Sequence, residues 1–159
     1  MIARRCSSRV FRSSAVRILV DADSLSPRLR EMIVRAAGRF GIEAVFAANS
    51  PIPLPKDPAV RLVVVDDADE WLVREAQAGD LAISRDVPLA ARLVPLGVDV
   101  ITDRGEHYTR ENIGTRLSDR DLATGLREAG LLQSRGRPHR PRDTQAFANL
   151  LDRELTRRR

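Results

Sequence analysis

Between residues 18 and 102, five short apolar runs alternate with stretches whose apolar residues recur at helical spacing, and nothing else in the sequence restricts the fold so severely. The runs are Ile18-Leu19-Val20, Glu43 to Ala48, Val60 to Val65, Leu81 to Ser84 and Val98 to Thr102. Nearly unbroken apolar runs of this length mark parallel strands covered on both faces. The alternation therefore predicts an α/β domain, with a mainly parallel sheet of about five strands flanked by helices.

The intervening stretches carry helix signals. Ser26 is placed to cap a helix that has Pro27 in its first turn, and Leu29, Met32, Ile33, Ala36, Ala37 and Phe40 form its apolar face up to Gly41. A second helix is expected from Asp69 to Ala78, ended by Gly79, and a third from Val87 to Leu96, which Pro95 shortens. Residues 50–58 hold four prolines and read as a stiff loop. Beyond residue 102 the alternation stops and a helical C-terminal part follows. Thr109 opens a helix toward Leu117, Ser118 with Asp121 resembles a capping box that opens another, and Gly130 ends it. After a polar loop from Ser134 to Arg142, Asp143 caps a last helix bearing Ala146, Phe147, Leu150, Leu151 and Leu155.

A length of 159 residues suits one domain, placed at residues 16–157. Residues 1–15 are basic and free of acids, and are set aside as a disordered extension. The net charge of +5 is unevenly spread: residues 1–17 carry five arginines and no acid, and residues 135–159 carry eight arginines against three acids. The body between them holds 14 basic and 19 acidic residues. Basic ends can engage a phosphate backbone, or can be solvated tails, which is the preferred reading of them. No apolar run is long enough to span a membrane, and the single Cys6 excludes an internal disulfide and a cysteine zinc cluster. A cytoplasmic location fits both facts. His107 and His139 lack a second-ligand pattern for zinc, and Trp71 and Tyr108 are too isolated to form a base-stacking platform.

Acids gather where the strands end. The first run finishes in Asp21 and Asp23, the third in Asp66, Asp67 and Asp69, and the fourth is followed by Asp86. In an open α/β sheet the functional crevice lies outside the carboxyl ends of the strands. Two residues apart in extended chain, Asp21 and Asp23 would point to the same side. Helix capping explains Asp69 and Asp86 singly, but not why one sheet edge collects at least four acids. Their mutual repulsion calls for a cation, and oxygen-only ligands suit Mg²⁺ or Mn²⁺, which polarise phosphoryl oxygens and make water nucleophilic. Metal binding is preferred here to capping alone.

The segments VDAD (20–23), RAAGR (35–39), AAN (47–49), DxAD (66–69), EAQAGDLAISRDVPLA (75–90) and DRGEHYTRENI with RLSDRDL (103–122) resemble the YaiI/YqxD family of uncharacterised bacterial proteins. The resemblance covers about residues 17 to 155. It implies a PIN-like, three-layer α/β/α domain of nuclease type, in which Asp21, Asp23, Asp69 and Asp86 occupy the metal site. Ser84 stands where the family usually has threonine, and Ser24-Leu25-Ser26 replaces its usual Ala-Cys-Pro. The segment Asp103-Arg104-Gly105-Glu106 belongs to the pattern without a role derivable from sequence.

The leading expectation is thus a Mg²⁺- or Mn²⁺-dependent nuclease, a ribonuclease-like phosphodiesterase whose catalytic and metal residues are Asp21, Asp23, Asp69 and Asp86. Ser84, Arg85, Arg104 and Asn49 would contact the substrate, with RNA ahead of DNA and a homodimer left open. A non-catalytic nucleic-acid-binding or regulatory module stands beside it. A phosphatase using Asp21-Ala22-Asp23 ranks last, because the only lysine, Lys56, lies in the proline-rich loop.

Overall fold

The computed structural model describes residues 16–133 and 138–159; the basic segment 1–15 and residues 134–137 of the polar loop lie outside them. The sheet has six strands: β1 (Ile18–Asp21), β2 (Ala44–Ala48), β3 (Val60–Val64), β4 (Leu81–Ile83), β5 (Asp99–Ile101) and β6 (His107–Tyr108). Their order is β3-β2-β1-β4-β5-β6, with the first five parallel and β6 antiparallel to β5. The sixth strand exceeds the expected five because a two-residue strand is too short to show any periodicity.

Five helices complete the fold: α1 (Pro27–Phe40), α2 (Ala68–Glu75), α3 (Val87–Leu93), α4 (Arg110–Glu128) and α5 (Pro141–Arg157). Successive residues of β1 face opposite cores, as the pleat requires. Ile18 and Val20 join Phe46 and Ile83 under α1 and α5, including Ile33, Phe147 and Leu151. Leu19 joins Val45 and Val100 under α2 and α3, with Leu72, Leu89 and Leu93. The result is three layers, α/β/α, with β1 at the centre and all four of its residues buried.

Several helix boundaries differ from the sequence reading. A single helix, α4, replaces the two expected on either side of Ser118, because no proline or stop residue breaks the run before Gly130 and both Ser118 and Asp121 stay on an exposed face. Thr109 does cap it, in a reciprocal box with Asn112. Arg140, not Asp143, occupies the cap position of α5; Asp143 lies inside the first turn and accepts from the Arg140 amide. Helix α2 stops at Glu75 rather than Ala78, since the buried Asp80 carboxylate draws the Gln77 amide out of helical geometry. Pro95 shortens α3 as expected, leaving a 3-10 turn at Val94–Leu96.

The arginine-rich C-terminus is not a free tail. Arg158 pairs with Asp99 of β5 and with the buried Glu154, and Arg157 pairs with the same two acids. These contacts clamp the end of α5 to the edge where the strands begin. Arg17 and Asp80 form another pair at that edge, at 2.9 Å.

Two glycines mark close approaches. A Cβ on Gly38 of α1 would lie 2.5 Å from an Asp57 carboxylate oxygen, so the proline-rich loop passes tightly there. Gly105 has φ of 76°, and a Cβ on it would fall 2.6 Å from the carbonyl carbon of Ala146 in α5. This gives the Asp103-Arg104-Gly105-Glu106 segment a structural role: its turn seats the backbone of α5 against the sheet edge. Gly105→Ala is expected to lower stability by about 2–3 kcal/mol through left-handed strain and main-chain collision, which thermal unfolding would register as a drop of roughly 5–10 °C. An unchanged melting temperature would show that α5 is held by other contacts.

Candidate functional site

Strand order reverses beside β1: the chain runs from β1 outward to β2 and β3, then returns to β4 on the other side. The topological switch point lies between the carboxyl ends of β1 and β4, where α/β sheets open their crevice. Asp21 ends β1, and Ser84 to Asp86 follow β4. The acids therefore meet where the topology leaves room.

Asp21 is 5% exposed. Its Oδ2 accepts from the Ser84 hydroxyl at 2.8 Å, and that hydroxyl in turn accepts from the Asp86 amide at 2.9 Å. Burial raises the Asp21 pKa above the ordinary carboxylate value; hydrogen bonds from Ser84 and Ser24 oppose the shift, while the charges of Asp86 and Asp23 add to it. Asp86 caps α3 by accepting from the Leu89 amide at 3.1 Å. Asp67 caps α2, and Asp69 lies in its first turn, half-buried. The Asp69 pKa is pushed up to about 6, first by burial, then by the charges of Asp21, Asp86 and Asp67, and by a hydrogen bond to Asp86.

Asp23 departs from the sequence expectation. Strand geometry ends at Asp21 and a 3-10 turn covers Ala22–Ser24, so Asp21 is buried while Asp23 faces solvent instead of sharing its side. Asp23 Oδ2 accepts from the Asn49 amide at 2.7 Å, and Asn49 Oδ1 accepts from the Ala68 amide at 3.0 Å. Asn49 thus ties the end of β2 to the start of α2.

The basic candidates are engaged unequally. Arg85 reaches the buried Asp103 at 3.4 Å with half of its side chain exposed, whereas Arg104 lies 3.7 Å from Asp143 with only 18% of its side chain exposed. His139 is exposed and places Nε2 3.0 Å from the Asp103 carbonyl oxygen. Asp103, Asp143, His139 and Ser24 escaped the sequence reading as members of this edge. Ser24 signalled itself only as a departure from the family pattern; its hydroxyl donates to the Asp21 carbonyl at 3.0 Å and accepts from the Arg85 amide at 3.4 Å. Lys56 precedes β3, and its neighbour Asp57 touches the end of α1. It therefore belongs to the opposite sheet edge, away from Asp21.

The donor set is all carboxylate oxygen, which suits a hard divalent cation. Among the described residues, however, no group of three or more His, Cys, Asp or Glu side chains is gathered closely enough to hold a metal ion. Charges act on one another over longer distances than one ion can bridge, so the mutual influence of Asp21, Asp69 and Asp86 does not by itself make a coordination site. No helix among the described residues is long and apolar enough to cross a membrane.

Fold and site together define a doubly wound α/β domain with an acidic switch point. The family model described as "Uncharacterized BCR, YaiI/YqxD family" matches residues 19–157. The chain is 45% identical to a UPF0178 protein of Syntrophobacter fumaroxidans over 147 residues, which is 90% of this chain and 96% of the relative. It is 45% identical over 148 residues to one of Thioalkalivibrio sulfidiphilus, covering 90% and 100%, and 44% identical over 146 residues to one of Myxococcus xanthus, covering 89% and 95%. The chain belongs to the YaiI/YqxD family. No solved structure matches it.

Because the Asp69 pKa is raised in the folded state, the native protein binds a proton more tightly than the unfolded chain between about pH 4 and 6, and stability falls as pH rises through that window. Asp69→Asn is expected to raise the melting temperature at pH 8, by about 2–4 °C if solvent screening limits the gain to about 1 kcal/mol. The gain should vanish near pH 4, where the wild-type carboxyl is already neutral. Melting curves in chelator-treated buffer check this, and equal gains at both pH values would refute the repulsion.

Proposed function

We propose that this protein is a divalent-metal-dependent phosphodiesterase of PIN-like type, acting on nucleic acid in the cytoplasm, with RNA ahead of DNA. The observation that carries the reading is the Asp69–Asp86 contact beside the buried Asp21, a set of like charges that only a proton or a cation can hold together at neutral pH. Asp21, Asp69 and Asp86 are the residues that would hold Mg²⁺ or Mn²⁺, with the exposed Asp23 engaged by the Asn49 amide. A bound divalent cation would supply charge neutralisation and polarisation of a phosphodiester oxygen.

The chain's own residues have separable tasks. Ser84 fixes the Asp21 carboxylate by donating to it and positions Asp86 by accepting its amide proton. Asp86 caps α3 through Oδ1. Asn49 acts through position, holding the start of α2 and hence Asp69. Of the two arginines, Arg85 is the better phosphate ligand. Its pairing with Asp103 is a single contact from a half-exposed side chain, and such pairs exchange partners at little cost. Arg104 is committed to the buried Asp143 and reads as a support for α5.

A second reading, a nucleic-acid-binding module without turnover, draws support from the structural duties of the acids. Asp21, Asp23 and Asp86 each accept a hydrogen bond that holds the fold.

One series separates the two. Mn²⁺ and Mg²⁺ titrated into wild type should raise its melting temperature by about 5–10 °C once the metal reaches a hundredfold excess over its dissociation constant. Asp21→Asn/Asp86→Asn should lose that shift while remaining folded, because an asparagine side-chain oxygen can accept from the Ser84 hydroxyl at position 21 and cap α3 at position 86. Metal-dependent cleavage of RNA that disappears in the double variant would support the phosphodiesterase. A metal shift without cleavage of RNA or DNA would leave the binding module, and no shift at millimolar metal would sink the metal reading.

A further inference from the structure

The two helical layers differ in charge. Helix α1 carries Arg28, Arg30, Arg35 and Arg39 against Glu31 alone. Its neighbour α5 exposes Arg142 and Arg153, while two of its three acids, Asp143 and Glu154, are buried. On the opposite layer α2 sets Asp69, Glu70 and Glu75 against Arg74, and α3 adds only Arg92, which pairs with Glu70. The sheet therefore separates an arginine-rich face from an acidic one.

Between α1 and α5 lies a groove of about 350 Å³. Arg28, Met32 and Arg35 form one wall, at the four- and three-residue spacing that keeps side chains on one flank of a helix. Thr144, Gln145 and Ala148 form the other. Arg39, the next position on that flank of α1, pairs with Asp152 of α5 and closes the far end. The near end lies at the first turns of both helices, and both start at the carboxyl edge of the sheet. Helix α1 follows β1 through the Ala22–Ser24 turn, and α5 runs from Asp103, just past β5, to Asp99 at its start. The groove thus leads away from the edge that holds Asp21 and Asp86.

Its lining selects the ligand. Arg28 has no ion pair among the described residues, and Arg35 has only Glu31, one helical turn away on an exposed surface, a pairing of little energy. The facing wall offers a hydroxyl and an amide, and the half-buried Met32 and Ala148 supply apolar contact. Guanidinium groups beside uncharged hydrogen-bonding groups suit a phosphodiester backbone with its bases. Helices in contact pack about 8–10 Å apart, so the cleft between them takes one strand and not a duplex. The exposed large apolar residues among those described, Val64, Leu96, Leu122 and Leu131, all lie elsewhere, so this face has no anchor for a membrane.

We propose that the groove between α1 and α5 binds single-stranded nucleic acid, with Arg28 and Arg35 taking phosphates of the strand that enters the crevice. This rests on the nucleic-acid substrate of the preceding reading, and not on its metal or its turnover.

Fluorescence anisotropy of a labelled single-stranded RNA with the full chain in chelator tests this, because binding is then read without metal or cleavage. Arg28→Gln/Arg35→Gln should raise the dissociation constant roughly tenfold or more at low salt. It should also flatten the slope of log affinity against log salt by about 1.4, the share of two phosphate contacts on a single strand. Gln145→Glu puts a negative charge on the facing wall and should weaken binding while leaving α1 untouched. Arg74→Gln/Arg92→Gln removes the same charge from the opposite layer and should bind as wild type does. Asp21→Asn/Asp86→Asn should bind at least as tightly as wild type. Wild type that binds neither single-stranded RNA nor DNA at low salt would overturn the proposal, as would unchanged binding by Arg28→Gln/Arg35→Gln and Gln145→Glu. An equal loss in Arg74→Gln/Arg92→Gln would overturn it by making net charge the cause, and a duplex bound as tightly as the single strand would place binding outside the groove. Groove-dependent binding without a metal shift or cleavage would remove the phosphodiesterase and leave this surface standing.

Discussion

The carboxylate at the end of the central strand governs the arrangement around it. Asp21 is buried with its pKa raised, and a buried carboxylate is tolerated only where donors reach it. Ser84 supplies one donor from β4, across the gap at which the chain's two halves diverge. The same hydroxyl receives the Asp86 amide, Asp86 caps α3 and contacts Asp69 of α2, and the start of α2 is held by Asn49, whose own amide goes to Asp23. The polar links thus close a ring from Asp21 through α3, α2 and β2 to Asp23. Removing the hydroxyl of Ser84 would leave Asp21 short of a donor and α3 without its register.

Magnitudes separate the structural use of these acids from a functional one. An N-cap contributes about 1 kcal/mol, and asparagine supplies it as well as aspartate. Two ionised carboxylates about 4 Å apart repel by roughly 4 kcal/mol at the effective dielectric of a partly buried site. Capping alone would favour Asn at position 86, keeping the Leu89 hydrogen bond without the charge, and it does not account for Asp69, since Asp67 is the cap of α2. Charged carboxylates gathered at this edge disfavour the isolated fold, and the proposed cation-dependent role draws its support from that.

Much of this was legible in the sequence, because strand–helix alternation and caps are local signals. The five parallel strands, the Ser26 cap with Pro27, the Thr109 cap and the placement of acids at one sheet edge follow from residue types at fixed spacings. The separation of Asp21 from Asp23 does not, since the switch from strand to 3-10 turn at Ala22 has no residue signature in Asp-Ala-Asp-Ser. The role of Gly105 depends on an α5 backbone 41 positions away in the chain, and that of Arg158 on Asp99. Long-range partners of that kind leave no periodicity to read. The divided expectation around Ser118 failed for a different reason: a capping sequence acts only where the backbone leaves helical geometry, and nothing in Arg110–Glu128 forces it to.

The two edges of the sheet use charge in opposite ways. Where the strands begin, Arg17 meets Asp80, and Arg157 and Arg158 meet Asp99 and Glu154, so each buried acid has a guanidinium against it. Where they end beside β1, Asp21 takes a hydroxyl donor, Asp86 an amide donor, and Asp69 feels both charges, while Arg85 pairs with Asp103 and Arg104 with Asp143. Arginine is abundant in this chain, yet among the described residues no ion pair joins a guanidinium to Asp21, Asp69 or Asp86. Pairing them with arginine would neutralise the crevice permanently, and the charge could then be neither exchanged for a cation nor shared with a proton. The edge clamped by arginines serves stability, and the proposed cation-dependent role falls to the edge whose acids lack such partners among the described residues.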